Sequence, residues 1–276
     1  MQKSFGTWAV VAVLTGVLAW TGRAEAAFVP ITGSGANSII RSGVTMTGVV
    51  LDNVTFTTAD LTQVTVTSWA SASPGSLLEA DTGLSTNNNL TRSPAQRRAL
   101  IETDWRLDTG LINPSTTADS AGVSFNTPVA NRPGVDLVIF EINPGTSADS
   151  IVLRINGQQQ TVSTWGSTGY TTPNADVIKV RNTGNTADAT PGSLTTLLNN
   201  PIQVNSVNIA QTVFGVGIDF SDFGVAANAT VSSFTFWSTS TSTAVDPVII
   251  AGIIPEPAAV AMVLTTLPAL LARRHR

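Results

Sequence analysis

The sequence predicts an all-β fold, an antiparallel β-sandwich with a jelly-roll-like arrangement, and three observations support this prediction. The body of the chain is rich in Thr, Ser, Val, Asn and Gly and poor in Lys and Glu, a balance that favours strands and turns over helices. Short segments, such as residues 64–69, alternate between apolar and polar residues. Clusters of Gly, Pro, Asn and Asp separate these segments, as is typical of sandwiches.

The predicted strands are of two kinds. In residues 44–49, 54–57 and 64–69 apolar residues alternate with threonine or serine, which indicates strands with one face on the core and one in water. Residues 135–142 are nearly continuous in apolar residues, which predicts a central strand covered on both faces. Further strands are predicted at residues 122–126, 150–155, 159–164, 177–180, 202–209, 212–219, 231–238 and 248–253.

Two local signals interrupt this series. Asn156-Gly157 lies between two predicted strands and predicts a two-residue hairpin with a type I′ turn. Residues 71–121 lose the alternating rhythm and form a long insertion. Within it, Ser93 is a suitable N-cap and Pro94 a suitable first residue for a short helix that ends at Ile101.

Composition excludes several kinds of chemistry. The chain has no cysteine, and its one histidine, His275, lies in the C-terminal segment. Cysteine nucleophiles, thiolate metal sites, histidine-dependent triads and a histidine zinc site are therefore excluded from the body of the chain. We predict a protein that is not an enzyme and that requires no cofactor.

Charge excludes one class of partner. The terminal segments described below contain two of the 18 acidic residues and five of the 14 basic ones. The body therefore keeps 16 acidic and 9 basic residues, a net charge near −7. An acidic surface of this kind does not favour binding to nucleic acid.

The N-terminal segment has the three parts of a secretory signal peptide. Lys3 supplies a positive charge, residues 8–20 are apolar, and Ala24-Glu25-Ala26 is a small-x-small cleavage site. We therefore predict a signal peptide in residues 1–26, cut by signal peptidase after Ala26, and export of the remaining chain.

The C-terminal segment is a second candidate processing signal. It consists of Pro255-Glu256-Pro257, an apolar run over residues 258–272, and a basic cluster that includes Arg273 and Arg274. The run would form a helix of about 22 Å, whereas a comfortable bilayer span needs roughly 20 residues, or about 30 Å of helix. Arginines directly after it would stay in the cytoplasm and leave the body outside. We predict a short transmembrane helix that holds the protein in the inner membrane transiently.

This order of features resembles the PEP-CTERM sorting signal of exosortase substrates. The resemblance covers residues 255–276 only, and an ordinary tail anchor or a buried helix is the alternative. It implies that a membrane-embedded exosortase recognises Pro255-Glu256-Pro257 and removes the tail. It also implies a Gram-negative-type bacterium that makes exopolysaccharide or an extracellular matrix. The chain is thus divided into a signal peptide (1–26), a β-sandwich ectodomain (27–254) and a sorting signal (255–276).

Two groups of side chains are candidates for contact with exopolysaccharide. Arg97 and Arg98 belong to the one basic cluster of the acidic body, with Trp105 close by, and arginine binds carboxylates through paired hydrogen bonds. Trp165 and Tyr170 lie in a turn-rich segment, where aromatic rings could stack on sugars. A solvated helix face and ordinary packing are the alternatives.

The carboxylates allow two further readings. Asp104 and Asp108, with nearby carbonyl groups, could ligate calcium, although no EF-hand spacing is present. Paired carboxylates could instead serve a glycan hydrolase. The candidate pairs are Asp104 with Asp108, Asp136 with Glu141, and Asp219 with Asp222.

Together these features predict an exported protein of the cell surface or extracellular matrix that associates with exopolysaccharide. Signal peptidase and exosortase are the expected processing partners. The alternatives are a secreted carboxylate-dependent glycan hydrolase and a calcium-stabilised adhesive module.

Overall fold

The computed structural model describes residues 28–70, 77–81, 93–95, 98, 105–108, 120–143, 145–172, 175–181, 194–199, 202–239 and 245–254. In these ranges the fold is all-β and every pairing between named strands is antiparallel, which confirms the predicted class. The arrangement is consistent with a β-sandwich or a half-barrel. The predicted signal peptide, with its expected helix, and the predicted C-terminal transmembrane helix lie outside the described residues.

Sixteen strands are described. They are β1 (Val29–Ile31), β2 (Ser38–Ser42), β3 (Thr45–Leu51), β4 (Val54–Thr57), β5 (Leu61–Ala70), β6 (Leu77–Asp81), β7 (Ser120–Ala130), β8 (Leu137–Asn143), β9 (Ile151–Ile155), β10 (Gln158–Val162), β11 (Gly166–Thr171), β12 (Ala175–Arg181), β13 (Ile202–Ile209), β14 (Thr212–Ile218), β15 (Thr230–Ser238) and β16 (Pro247–Ile253). Short 3-10 helices cover Thr58–Asp60 and Phe220–Phe223, and an α-helix covers Leu194–Asn199.

The strands form one large sheet and two small ones. The large sheet has ten strands in the order β1-β14-β8-β16-β5-β7-β15-β9-β10, with β11 also paired to β14. Strand β5 changes neighbour along its length, since residues 61–63 pair with β16 and residues 64–70 pair mainly with β7. The small sheets have the orders β2-β3-β4 and β13-β12-β6.

Two hydrophobic cores lie on either side of β8. Leu137 and Ile139 belong to the larger core, together with side chains of β5, β7, β9, β14 and β15. Val138, Phe140 and Ile142 belong to the smaller core, which includes residues of β2 and β3. Residues 137–142 are all buried. The prediction of a central strand covered on both faces is therefore confirmed.

Two tight hairpins have the type I′ geometry. Asn156 and Gly157 have φ of 50° and 75°, and Ile155 pairs with Gln158 across them, which confirms the predicted turn. Asp52 and Asn53 have φ of 49° and 65° between β3 and β4. Asn and Asp tolerate this left-handed region better than other non-glycine residues.

Several elements differ from their predicted bounds or were not predicted. Strands β1, β2, β6 and β11 and the helix Leu194–Asn199 had no counterpart in the sequence analysis. Strand β7 extends from residue 120 to 130, well beyond the predicted 122–126. In the predicted helix over residues 93–101, Pro94, Ala95 and Arg98 are helical, and most other positions are outside the described residues.

The central part of the large sheet has two opposite ends. At the first, Asp136 precedes β8, β14 ends at Ile218, β16 ends at Ile253, and β5 begins at Leu61. We refer to this as the Asp136 end. At the other end, β8 finishes with Glu141, Ile142 and Asn143, and Asp246 directly precedes β16. We refer to this as the Glu141 end.

Candidate functional site

Three carboxyl groups lie together at the Glu141 end. Glu141 is fully buried, with the apolar residues Phe140 and Ile142 on either side of it in β8. The backbone N–H of Asp149 donates to Oε1 and Oε2 of Glu141, at 3.1 Å each, and the backbone N–H of Asp246 is a further donor. The Asn143 amide donates to Oδ2 of Asp149 at 3.0 Å. Antiparallel pairing of Pro247 with Glu141 places Asp246 beside this group.

The electrostatics of the cluster favour a protonated Glu141. Burial and the neighbouring charges of Asp149 and Asp246 raise the pKa of Glu141 well above its usual 4.5, because a buried carboxylate loses solvation and like charges repel. Burial also raises the pKa of Asp149, and the hydrogen bond from Asn143 opposes this rise. Because Glu141 has no exposed surface, a substrate could not reach its carboxyl group in this state.

Asp136, at the opposite end, is buried in a different way. Its Oδ2 accepts a hydrogen bond from the Phe220 N–H at 2.9 Å, and its Oδ1 accepts one from the Arg132 N–H at 3.0 Å. Burial raises the pKa of Asp136 to about 6, although these two bonds oppose the rise. The side chain ties the loop before β8 to the 3-10 helix after β14, which is a structural role.

Two of the candidate carboxylate pairs fall within the described residues, and each has a local structural role. Asp136 and Glu141 lie five residues apart along extended chain, a separation of about 17 Å, beyond the 5 to 10 Å that glycosidases use. Asp219 caps the 3-10 helix Phe220–Phe223, because its Oδ1 accepts from the Ser221 N–H at 2.7 Å. Its backbone carbonyl accepts from the Asp222 N–H, so this pair belongs to a capped turn. In the third pair, Asp104 lies outside the described residues.

The predicted basic cluster is only partly described. The Arg98 guanidinium donates to the Val66 carbonyl at 3.3 Å, and Trp105 is partly buried against the smaller core. Arg106 forms a two-bond ion pair with Asp108, with Nε to Oδ1 at 2.8 Å and Nη2 to Oδ2 at 2.7 Å. Arg97 lies outside the described residues, so its predicted contact with polysaccharide stays a prediction.

The two aromatic candidates differ in burial. Trp165 is partly buried against the larger core, and its indole N–H is buried without a hydrogen-bond partner among the described residues. Tyr170 is 9% exposed. The Arg41 guanidinium lies 3.9 Å from the centre of its ring, and burial raises the pKa of Tyr170. Tyr170 is therefore largely covered, whereas Trp165 keeps part of its surface exposed, and the predicted contact with polysaccharide stays a prediction.

The calcium prediction is not supported by further ligands. Asp108 is fully buried and both of its carboxylate oxygens accept hydrogen bonds from Arg106. Among the described residues, no group of three or more His, Cys, Asp and Glu side chains is arranged to hold a metal ion. Because Asp104 lies outside this part of the chain, the predicted pair itself stays untested.

A cleft that sequence reasoning missed lies beside the Asn156-Gly157 hairpin. It has a volume of about 420 Å³ and no charged lining residue. Its polar lining includes Asn156, Thr230, Ser232 and Ser233. The adjoining loop is fixed by Asn131, whose side-chain amide donates to the Val225 carbonyl at 2.6 Å. The Asn-Gly pair marked the turn, but no sequence signal marked the cleft, because its walls bring residues 224–233 together with Asn156, which is distant in sequence.

The processing residues lie outside the structure's described ranges. These residues are Ala24, Ala26, Pro255, Glu256, Pro257, Arg273 and Arg274. Among the helices that the structure does describe, none combines the length and the apolar character needed to cross a membrane.

Comparison of the chain with protein-family models, with characterised proteins and with solved structures finds no match to any of them.

Proposed function

We propose that this chain is an exported bacterial protein of the cell surface or extracellular matrix that acts without catalytic turnover. Its C-terminal segment holds it in the inner membrane until an exosortase removes residues after the folded body. The observation that carries this proposal is the position of the two predicted processing signals relative to the strands. Strand β1 begins at Val29, and strand β16 ends at Ile253.

Cleavage at both signals would leave the described sheet intact. The predicted signal-peptide cut after Ala26 leaves two residues before β1. The last residue joined to the body by a described backbone bond is Ile254, whose N–H donates to the Asp60 carbonyl at 2.9 Å. Pro255-Glu256-Pro257 follows directly. Removing the tail would therefore cost no described strand pairing.

The choice of a non-enzymatic role rests on the chemistry that remains in residues 27–254. This segment has no histidine and no cysteine, so acid-base work would fall to carboxylates or lysine. The carboxyl cluster at the Glu141 end is closed to solvent at Glu141. The pair Asp136 and Glu141 is divided between two ends of the sheet. These observations favour a structural protein over the alternative of a glycan hydrolase.

We propose further that the body associates with exopolysaccharide. Arg97, Arg98 and Trp105 remain candidates for an anionic polymer, and the uncharged cleft offers hydroxyl and amide groups to a neutral one. The finer description of the fold as a jelly-roll-like sandwich also belongs to this proposal.

The test is mass spectrometry of the mature protein recovered from its native host. We expect an N-terminus at Ala27 and loss of the segment that contains Arg276. An intact Arg276 on protein taken from the cell surface would overturn the proposed sorting.

A variant at the tail provides a second readout. Glu256→Ala should leave the protein in the membrane fraction with its tail attached, whereas Ser147→Ala, at an exposed position in the body, should be processed normally. Equal processing of the two variants would contradict a role for Glu256 in recognition.

A further inference from the structure

The order of the large sheet brings both ends of the folded body to one side. In β1, Val29 pairs with Gly217 of β14, and Gly217 pairs with Val138 of β8. Val138 in turn pairs with Ala251 of β16. Val29 and Ala251 therefore lie in one row across four neighbouring strands. Strand β1 starts and strand β16 stops at the Asp136 end.

The distance between these two points is short. Three strand spacings separate β1 from β16, about 14 Å at 4.8 Å each. The chain therefore enters and leaves the body at nearly the same place. This closeness could not be read from positions 28 and 254 of the sequence, because it depends on the non-sequential strand order.

The tether to the apolar C-terminal run is also short. From Ile254 to Ala258, the first residue of that run, there are four residue steps. A fully extended chain covers about 14 Å in four steps. Before the predicted cut after Ala26, the N-terminal connection is short as well. The eight residue steps from Trp20, the end of the apolar part of the signal peptide, to Phe28 cover at most about 28 Å. An apolar run inserted in a membrane would therefore hold the Asp136 end close to the lipid surface.

We infer that, while its C-terminal segment is in the membrane, the body stands end-on, with the Asp136 end facing the lipid headgroups. This inference rests on the proposed function, because it requires the C-terminal run to be inserted. The Glu141 end, with the carboxyl cluster and the exposed residues Thr146 and Ser147, then faces away from the membrane. Strand β8 separates the two ends by about 20 Å.

The Asp136 end carries an excess of acidic groups. Its charge therefore does not attract it to lipid, and the connection through residues 254–258 is what holds it at the membrane. Asp52 is exposed, and Asp60 and Asp219 are partly exposed, with Arg132 as an exposed base on the loop before β8. Asp52 lies near Gly134 of that loop. A surface with more acidic than basic groups is repelled by anionic lipids. Loss of the tail would therefore release the body.

The absence of cysteine from the chain allows a clean orientation experiment. Ala59→Cys places one thiol at an exposed position of the 3-10 helix Thr58–Asp60, at the Asp136 end. Ser147→Cys places one thiol at the Glu141 end. Each variant, carrying its C-terminal segment, is labelled with a fluorophore and reconstituted in vesicles of phosphatidylethanolamine and phosphatidylglycerol. A fraction of the lipid carries a nitroxide on its headgroup.

We expect the label at position 59 to be quenched severalfold more than the label at position 147. Equal quenching, or stronger quenching at position 147, in protein that floats with the vesicles would overturn the end-on orientation while leaving the proposed anchoring in place. Protein that does not float with the vesicles would overturn the anchoring, and the orientation with it. Ser221→Cys, a second exposed site at the Asp136 end, should reproduce the result at position 59.

Discussion

Asp136 and Glu141 are almost equally buried, at 2% and 0% exposure, yet the two ends of the sheet treat their carboxyl groups differently. Each oxygen of Asp136 has its own backbone donor, one from Phe220 and one from Arg132. Glu141 also has backbone donors, but its nearest charges are two further acidic side chains. Burial alone therefore does not decide what a buried acid contributes to stability. The hydrogen-bond donors and charges around the acid decide that contribution.

The raised pKa values of Asp136 and Glu141 make the stability of the folded protein depend on pH. Both acids have a pKa in the folded state above the value in the unfolded chain, so the folded protein binds more protons between the two values. Stability is then largest below the unfolded pKa and falls as pH rises through the folded pKa. For Asp136 this window runs from 3.8 to about 6. For Glu141 it begins at 4.5 and extends well above it.

The largest expected effect is the loss of the Asp136 side chain. Asp136→Ala leaves the N–H groups of Phe220 and Arg132 without their acceptors, and we expect the free energy of unfolding to fall by about 3 kcal/mol at pH 5. Urea unfolding followed by tryptophan fluorescence measures this change. A loss below about 0.5 kcal/mol would show that these two bonds do not hold the Asp136 end together.

The unmodified protein should itself be most stable in mild acid. Because buried acids must ionise as pH rises, we expect the free energy of unfolding to fall by about 2 kcal/mol between pH 4 and pH 7. Urea unfolding at several pH values measures the slope. A stability that rises over this range would contradict the assigned directions of the pKa shifts.

Glu141→Gln should stabilise the protein at pH 7.5 by about 1 to 2 kcal/mol and change it little at pH 4. The neutral amide keeps the shape of the side chain, and its one oxygen can still accept from the Asp149 N–H, which both carboxylate oxygens now share. Ionised Glu141, in contrast, repels Asp149 and Asp246. The matched control is Asp136→Asn, which replaces one acceptor oxygen by an amide group facing a backbone donor. That control should be destabilising at both pH values. If both variants changed the free energy of unfolding in the same direction at pH 7.5, the two ends would not differ in the way expected here.

The smallest expected effect is that of Asn143. Asn143→Ala removes its hydrogen bond to Asp149 and the bond from the Gly145 N–H to its Oδ1, at a cost of about 1 kcal/mol. The loss should be greater at pH 7 than at pH 4, because Asn143 stabilises the ionised form of Asp149. Ser147→Ala, in the same loop, is the control. A loss independent of pH would mean that Asn143 acts through the loop alone.

Local patterns predicted the parts of the fold that depend on neighbours in sequence. The alternation in residues 64–69 predicted a half-buried strand, because side-chain direction along a strand has a period of two. The apolar run over residues 135–142 predicted a strand buried on both faces. The structure confirms both strands. The Asn156-Gly157 turn was predictable because a positive φ at both positions restricts the choice of residue. The processing signals at the two ends were also read from local order and stay predictions.

The candidate site was less predictable. No sequence pattern singled out Asp149, and Glu141 was a candidate partner of Asp136, five residues earlier in the sequence. In the structure Glu141 lies with Asp246, more than a hundred residues later, because β16 pairs with β8. Tyr170 was a candidate for stacking on a sugar, and Arg41 of β2 lies over its ring. In both cases the deciding contact comes from a strand distant in sequence.

By itself, the sequence determined that this is an all-β protein without cysteine or catalytic histidine in its body, since composition and a period of two residues follow from the chain alone. Tertiary structure decided which strands are neighbours. It thereby placed both termini of the body at the Asp136 end and gathered three carboxyl groups at the Glu141 end. The physical reason is that a strand's pattern fixes which face is buried, whereas its partner is chosen by the packing of the whole sheet.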